Sequence, residues 1–256
     1  SGTPLNDSIV AYVQAEAHLY DRLDPIYEKM ADASGEELEA LRTQHGVIYD
    51  EYLRELVGRL NRNTDNAFGV YMLPSLQHFG KPELVEKPVK KLRERFPGNF
   101  WTEFIADLIE GKMRAAVGRK YTDLAMSTPE GAEMKLSDVI PNNKYTFVDF
   151  WASWCGPCRA ELPNVKAAYD KYHAEGFEVV GVSFDANEAA WKNAIAEEGL
   201  SWFHMSDLKG WDCAAADVYG IRGIPFTMLV AQDGTIVANN LRGDALMEKL
   251  DELMGK

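Results

Sequence analysis

The sequence predicts an α/β fold with a mixed sheet, carried on the C-terminal part of the chain behind an all-helical N-terminal part. Three observations lead there. Over residues 1–117 apolar side chains recur at helical spacings with no strand-like alternation. From Gly118 onward, short β-branched and aromatic runs alternate with helical patterns, the order expected of α/β layers. The turn Gln232-Asp233-Gly234 sits between two such runs, which makes the last two strands antiparallel.

In the helical part, Asn6, Asp7 and Ser8 offer N-caps to a first helix with Val10, Val13, Ala17 and Tyr20 on one side, and Pro25 is expected to break or kink it. Ser34-Gly35-Glu36-Glu37 fits a capping box for a second helix, whose stripe runs through Leu38, Leu41, Ile48, Tyr52, Leu56 and Leu60. The pair is expected to form an antiparallel hairpin. Further helices are expected over 65–79, 82–95 and 100–116, punctuated by Gly80, Pro82, Pro97 and Gly98. In the second part the strand candidates are Tyr121–Ala125, Tyr145–Phe150, Phe177–Phe184, Phe226–Val230 and Thr235–Ala238, with helices over 157–174, 187–198 and 243–254.

Composition narrows the function. At 256 residues the chain is long enough for one to two domains at roughly 150 residues each, with a core that needs no staples. A net charge of −13 excludes the Lys/Arg surfaces that nucleic acid or an anionic membrane requires. No apolar run approaches the length of a membrane span. Ser1-Gly2-Thr3-Pro4 has neither the basic start nor the apolar core of a secretion signal, so a processed terminus is expected there. The three cysteines cannot make a disulfide scaffold.

Two of them carry the chemistry. Val148-Asp149-Phe150-Trp151 reads as a strand running through Ala152-Ser153-Trp154 into Cys155-Gly156-Pro157-Cys158 and a helix. A thiolate on the first turn of a helix meets unpaired backbone N–H groups and the positive end of the dipole, which lower its pKa. Gly156 and Pro157 allow a tight approach, and a proline there loses no needed hydrogen bond. Cys155 is expected to be the exposed attacker and Cys158 the more buried resolving thiol. Half a zinc site is the competing reading of the pair, but no second pair exists and none of the five His lies nearby. The His and Met residues are scattered without ligand spacing, so neither a metal nor another cofactor is expected. Cys213 reads as a small buried hydrophobe.

This segment resembles the thioredoxin superfamily, and within it the TlpA/ResA-like thiol-disulfide oxidoreductases, relatives of the AhpC/TSA group. The resemblance rests on the Cys-Gly-Pro-Cys motif, Asp149 ahead of it, Pro163 within the following helix, Gly223-Ile224-Pro225-Phe226-Thr227, Cys158-Arg159-Ala160-Glu161-Leu162-Pro163, a leading hairpin near 121–136 and the insert between 184 and 211. It covers 118–256, which makes 1–117 a helical N-terminal domain and 118–256 a thioredoxin-like domain. It implies an enzyme that exchanges protein disulfides, with Cys155 and Cys158 reactive and Asp149 and Glu161 relaying a proton. Trp154 would shield the site, and Ile224 beside a cis Pro225 would pair with the substrate's extended chain. Substrates would be protein disulfides or dithiols, a redox partner would re-reduce the site, and the location would be periplasmic or otherwise extracytoplasmic. The Gly-Pro dipeptide matches that of thioredoxin and favours a reducing role, with isomerase or oxidant as the alternative.

Thiol peroxidase is a rival activity on the related fold, but the position where such sites carry Thr is Ala152. A client-binding module is the third reading, with the helical part as client groove or homodimer face. The same tyrosines and leucines would equally pack that part's own core.

Overall fold

The computed structural model describes residues 3–77 and 79–255; Ser1 and Gly2 of the expected terminus, and His78 within the helix expected over 65–79, lie outside the described residues. The chain divides into two compact units, Ser1–Ala106 and Asp107–Lys256.

The first unit is helical. Helices α1 (Pro4–Asp32) and α2 (Gly35–Arg62) form a long hairpin, followed by α3 (Ala67–Met72) and α4 (Glu86–Arg95), while α5 (Phe100–Arg114) runs across the division. Three local expectations are corrected. Helix α1 starts ahead of Asn6, because Thr3 caps it through its hydroxyl and Pro4 supplies a first-turn φ. Pro25 does not break the helix. An interior proline costs about 3 kcal/mol, and burying an aliphatic side chain returns about 1.5–3 kcal/mol. Leu19, Leu23 and Ile26 straddle the proline and bury against Leu41 and Ile48 of α2, so packing outweighs the lost backbone bond. The capping box at Ser34 is also absent: the chain enters α2 through Gly35 at φ +57°, and the Ser34 hydroxyl bonds to no helical N–H.

From Asp107 on, the last turns of α5 belong to the second unit. Gly111 lies so close to Gly220 that a Cβ on Gly111 would stand 2.5 Å from the Gly220 nitrogen. Beyond the helix, Asn239 donates to the Ala115 carbonyl at 3.1 Å, and Gly118 donates to the Ile236 carbonyl at 2.8 Å.

The second unit is a seven-stranded mixed sheet flanked by helices. Its elements are β1 (Ala125–Ser127), β2 (Glu133–Lys135), β3 (Tyr145–Trp151), α6 (Gly156–Tyr172), β4 (Phe177–Ser183), α7 (Glu188–Glu198), β5 (Phe203–Ser206), α8 (Ala214–Tyr219), β6 (Phe226–Ala231), β7 (Ile236–Asn239) and α9 (Asp244–Met254). The strand order is β2-β1-β5-β4-β3-β6-β7. Strands β3, β4 and β5 are parallel, joined by α6 and α7, while β6 and β7 continue antiparallel through the expected Asp233-Gly234 turn. Within the insert the expected helix over 187–198 is α7, while β5, and α8 just beyond the insert, are elements that the sequence reading did not include. Strands β3 and β4 are buried along almost their whole length, which is why they read as near-continuous apolar runs. Residues of β3 alternate between faces: Val148 and Phe150 point one way, Phe147 and Asp149 the other, toward α6 and α9.

Candidate active site

Strand β3 delivers the chain to the site and α6 begins there. Cys155 is the N-cap of α6, with extended backbone at φ −83° and ψ 94°, and its Sγ accepts a hydrogen bond from the Cys158 N–H at 3.2 Å. The two sulfurs are joined in a disulfide, with Cα atoms 5.3 Å apart. The sequence reading is corrected on exposure: Cys155 is only 4% exposed against 2% for Cys158. Its sulfur is held by the partner sulfur and turned onto the first turn of the helix, while Trp154, Gly156 and Pro157 around it remain exposed. The same Sγ position would hold a Cys155 thiolate against the helix N-terminus in the reduced protein, where N–H groups and dipole favour negative charge.

Trp154 is 55% exposed, and its ring lies 6.2 Å from that of Trp211, which in turn meets Phe184 edge-on at 5.3 Å. The motif residues therefore sit beside a small aromatic surface. Ile224 is partly exposed, Pro225 is buried, and the peptide bond between them is cis, the geometry the resemblance implied.

The carboxylates stand between β3 and α6. Asp149 lies on this central strand, between Gly181 of β4 and Thr227 of β6. It is 6% exposed, and among the described residues none donates it a hydrogen bond. Burial pushes its pKa up to about 7, the nearby Glu161 charge adds to the rise, and Arg242 opposes it. Glu161, on α6, is fixed by two donors: the Gly243 N–H at 2.8 Å and the Asn164 side chain at 3.1 Å, both on Oε2. Asp149, Glu161, Asn164, Pro225, Thr227 and Arg242 line one cavity together with apolar side chains. The structure thus brings the two expected carboxylates and the cis-proline into one place, and it adds Arg242 and Asn164 to them. Arg159 pairs with Glu198 at 2.7 Å and ties α6 to α7.

A second buried carboxylate has no counterpart in the sequence reading. Asp185, 1% exposed, follows β4 and accepts hydrogen bonds from the Ser153 N–H at 2.9 Å, the Ser153 hydroxyl at 2.5 Å and the Ser183 hydroxyl at 2.7 Å. It anchors the loop that leads into Cys155. No local signal could have found it, because Ser153 and Asp185 are 32 residues apart. Cys213 is fully buried, and burial pushes its thiol up to about 12, which makes it a poor nucleophile at neutral pH. Among the described residues no group of three or more His, Cys, Asp or Glu side chains could hold a metal ion, and no helix is long and apolar enough to cross a membrane.

The arrangement can exchange disulfides: a cysteine pair at a helix N-terminus supplies attacker and resolver, and a buried carboxyl near neutral pKa can take a proton. Comparison with known proteins agrees. The Redoxin family model matches residues 116–251. The thiol-disulfide oxidoreductase ResA of Bacillus anthracis is 29% identical over 153 residues, covering 60% of this chain and 83% of that protein. ResA of Bacillus subtilis is 27% identical over 127 residues, covering 50% of this chain and 68% of that one. Among solved structures, the thioredoxin domain of a thiol-disulfide oxidoreductase from Bacteroides vulgatus superposes with a TM-score of 0.50 at 33% identity, covering 54% of this chain and 97% of that one. A thiol-disulfide oxidoreductase from Bacteroides fragilis superposes with the same TM-score of 0.50 at 30% identity, covering 53% of this chain and 99% of that one. The chain belongs to the Redoxin family, and it is a thioredoxin-like, TlpA/ResA-like thiol-disulfide oxidoreductase.

Proposed function

We propose that the dithiol form of this protein reduces disulfides in protein substrates. The Cys155 thiolate attacks one sulfur of the substrate disulfide, forms a mixed disulfide and releases the first substrate thiolate, which takes a proton from solvent. Cys158 loses its proton to Asp149, with Glu161 sharing the charge through their common cavity. It then attacks the Cys155 sulfur, which leaves the Cys155–Cys158 disulfide and releases the second substrate sulfur as a thiolate that takes a proton from Asp149 or solvent. Two electrons pass to the substrate, and a dithiol partner returns the enzyme to its reduced form. Trp154, Gly156 and Pro157 contact the substrate at the rim, and the backbone at Ile224, beside Pro225, pairs with its extended chain.

The observation that carries this reading is Asp149: a buried carboxyl with a pKa pushed up to about 7 is poised to exchange a proton at neutral pH. Reduction of insulin disulfides under a dithiol regenerant tests it. Cys155→Ser should abolish turnover, and Cys158→Ser should accumulate mixed disulfide with the substrate. Full activity in Cys155→Ser would end the proposal. The reducing direction is supported by the Gly-Pro dipeptide, and a couple potential near thioredoxin's, about −270 mV, is expected. A potential well above that would make the protein an oxidant or isomerase.

The proposal extends to an extracytoplasmic site of action, supported by likeness to the ResA group. It extends also to a homodimer through the helical part, supported by the exposed Val10, Val13, Tyr20 and Tyr27, whose heptad-like spacing sets them along one side of α1. Sedimentation of the full chain tests the second point. A monomer at micromolar concentration would remove it.

A further inference from the structure

The loop between β7 and α9 touches three parts of the site at once. Arg242 donates from Nη2 to the Pro225 carbonyl at 2.6 Å, so it holds the cis-proline loop from behind. The next residue, Gly243, donates its N–H to Glu161 Oε2 at 2.8 Å, so the same loop fixes a carboxylate of the active-site helix. Asn240 donates its N–H to the Thr227 carbonyl at 2.9 Å, and Thr227 returns a bond from its hydroxyl to the Leu241 carbonyl at 3.3 Å. Thr227 is the β6 partner of Asp149 in the sheet register. Arg242 also lines the cavity shared by Asp149, Glu161 and Pro225.

We propose that Arg242 is a positioning residue for disulfide exchange: it joins the cis-proline loop, where substrate is to be paired, to the carboxylate pair that is to take the Cys158 proton. The inference rests on the roles proposed above for Ile224, Pro225, Asp149 and Glu161, and it adds the element that links them. Two effects follow from one guanidinium. Its hydrogen bond fixes the Pro225 carbonyl, and with it the backbone offered to the substrate. Its charge favours the carboxylate form of Asp149 against the burial and the Glu161 charge that oppose it. Few other groups could take this part. Beside Asp149, β4 presents Gly181, β6 presents Thr227 and α9 presents Leu246, none of them charged. Glu161 and Arg242 are the charged groups that act on it. A lysine has the charge but lacks the planar fork that reaches a carbonyl while remaining beside a carboxylate pair.

The test is steady-state reduction of a protein disulfide by the full-length enzyme under a dithiol regenerant, across the neutral pH range, for wild type, Arg242→Met, Arg242→Lys and Asp149→Asn. Arg242 is exposed over much of its surface, so its variants are expected to fold, and far-UV circular dichroism with a thermal melt checks this. Arg242→Met should raise KM about tenfold, the loss expected for a charge-assisted hydrogen bond. It should also move the acid-limb inflection of kcat to higher pH, because removing the cation raises the carboxyl pKa further. Arg242→Lys should return the inflection toward wild type while KM stays high, a split that a merely structural role does not produce. Wild-type KM or a wild-type inflection in Arg242→Met overturns the inference. Asp149→Asn separates the two levels. If it loses the inflection while Arg242→Met behaves as wild type, the proton-acceptor reading stands and the role of Arg242 falls. If it keeps the inflection, the proton-acceptor reading falls, and with it the carboxylate half of this inference.

Discussion

Two buried aspartates lie near the catalytic disulfide, and the protein treats them in opposite ways. Asp185, after β4, is surrounded by donors: Ser153 gives it a backbone and a hydroxyl hydrogen bond, and Ser183 gives a third. Asp149, on β3, lies in the sheet beside Gly181 and Thr227, receives no such bond among the described residues and faces a second carboxylate. A carboxylate that is fully hydrogen-bonded in a low-dielectric interior holds structure in place, whereas one deprived of donors is free to exchange a proton. The first aspartate fixes where Cys155 stands, and the second is the group proposed to follow the proton of Cys158.

The largest expected effect is the pH dependence that Asp149 gives the fold. The Asp149 pKa rises on folding from 3.8 to about 7, so the folded state holds a proton that the unfolded chain has released. Stability contributed by that proton is fully present below the unfolded value and is lost as pH rises from 3.8 through about 7, where it levels off. The loss is on the order of 4 kcal/mol if the whole shift is expressed. Denaturant unfolding at a series of pH values should show this slope in the oxidised wild type and its removal in Asp149→Asn. An unchanged slope in the variant would break the contrast.

Next comes the opposite substitution. Asp185→Ala should cost about 2–4 kcal/mol, because it leaves the Ser153 N–H and two hydroxyls without their acceptor. Asp185→Asn should cost less, since an amide oxygen still accepts. Chemical denaturation measures both, and a loss under about 0.5 kcal/mol in the alanine variant would show that Asp185 anchors nothing. Because Ser153 leads into Cys155, the alanine variant should also shift the reduction potential of the pair.

These two residues also mark how far the sequence could be read. The cysteine pair, the Gly-Ile-Pro segment and the strand carrying Asp149 are local patterns, so the chemistry was legible from a few contiguous stretches. Asp185 and Arg242 were not, since each acts through a contact made only when separate segments meet: Ser153 is 32 residues from Asp185, and Pro225 is 17 from Arg242. Strand β5 escaped for another reason. Phe203-His204-Met205-Ser206 is short and contains a buried His and Ser, which hide its apolar character. Helix α8 has only six residues, too few to show a periodicity. Pro25 misled because a local penalty was outweighed by packing between α1 and α2, which no window along the chain displays.

The smallest expected effect belongs to the aromatic surface. Trp154→Ala should raise KM for protein disulfides several-fold and leave reduction of a small disulfide nearly unchanged, because the ring shapes a surface without touching either carboxylate. Equal losses on both substrates would place Trp154 in the chemistry instead.

The most direct test of the central claim is the rate at which Cys158 resolves the mixed disulfide, followed by stopped flow as a function of pH in wild type and Asp149→Asn. The wild-type rate should rise with pH through an inflection near 7 as Asp149 becomes able to accept the proton. The variant should be about 100-fold or more slower at neutral pH, the range for a lost general base being about 10²–10⁴, and should rise only with ionisation of the Cys158 thiol itself. The same rate and the same inflection in both proteins would contradict the account.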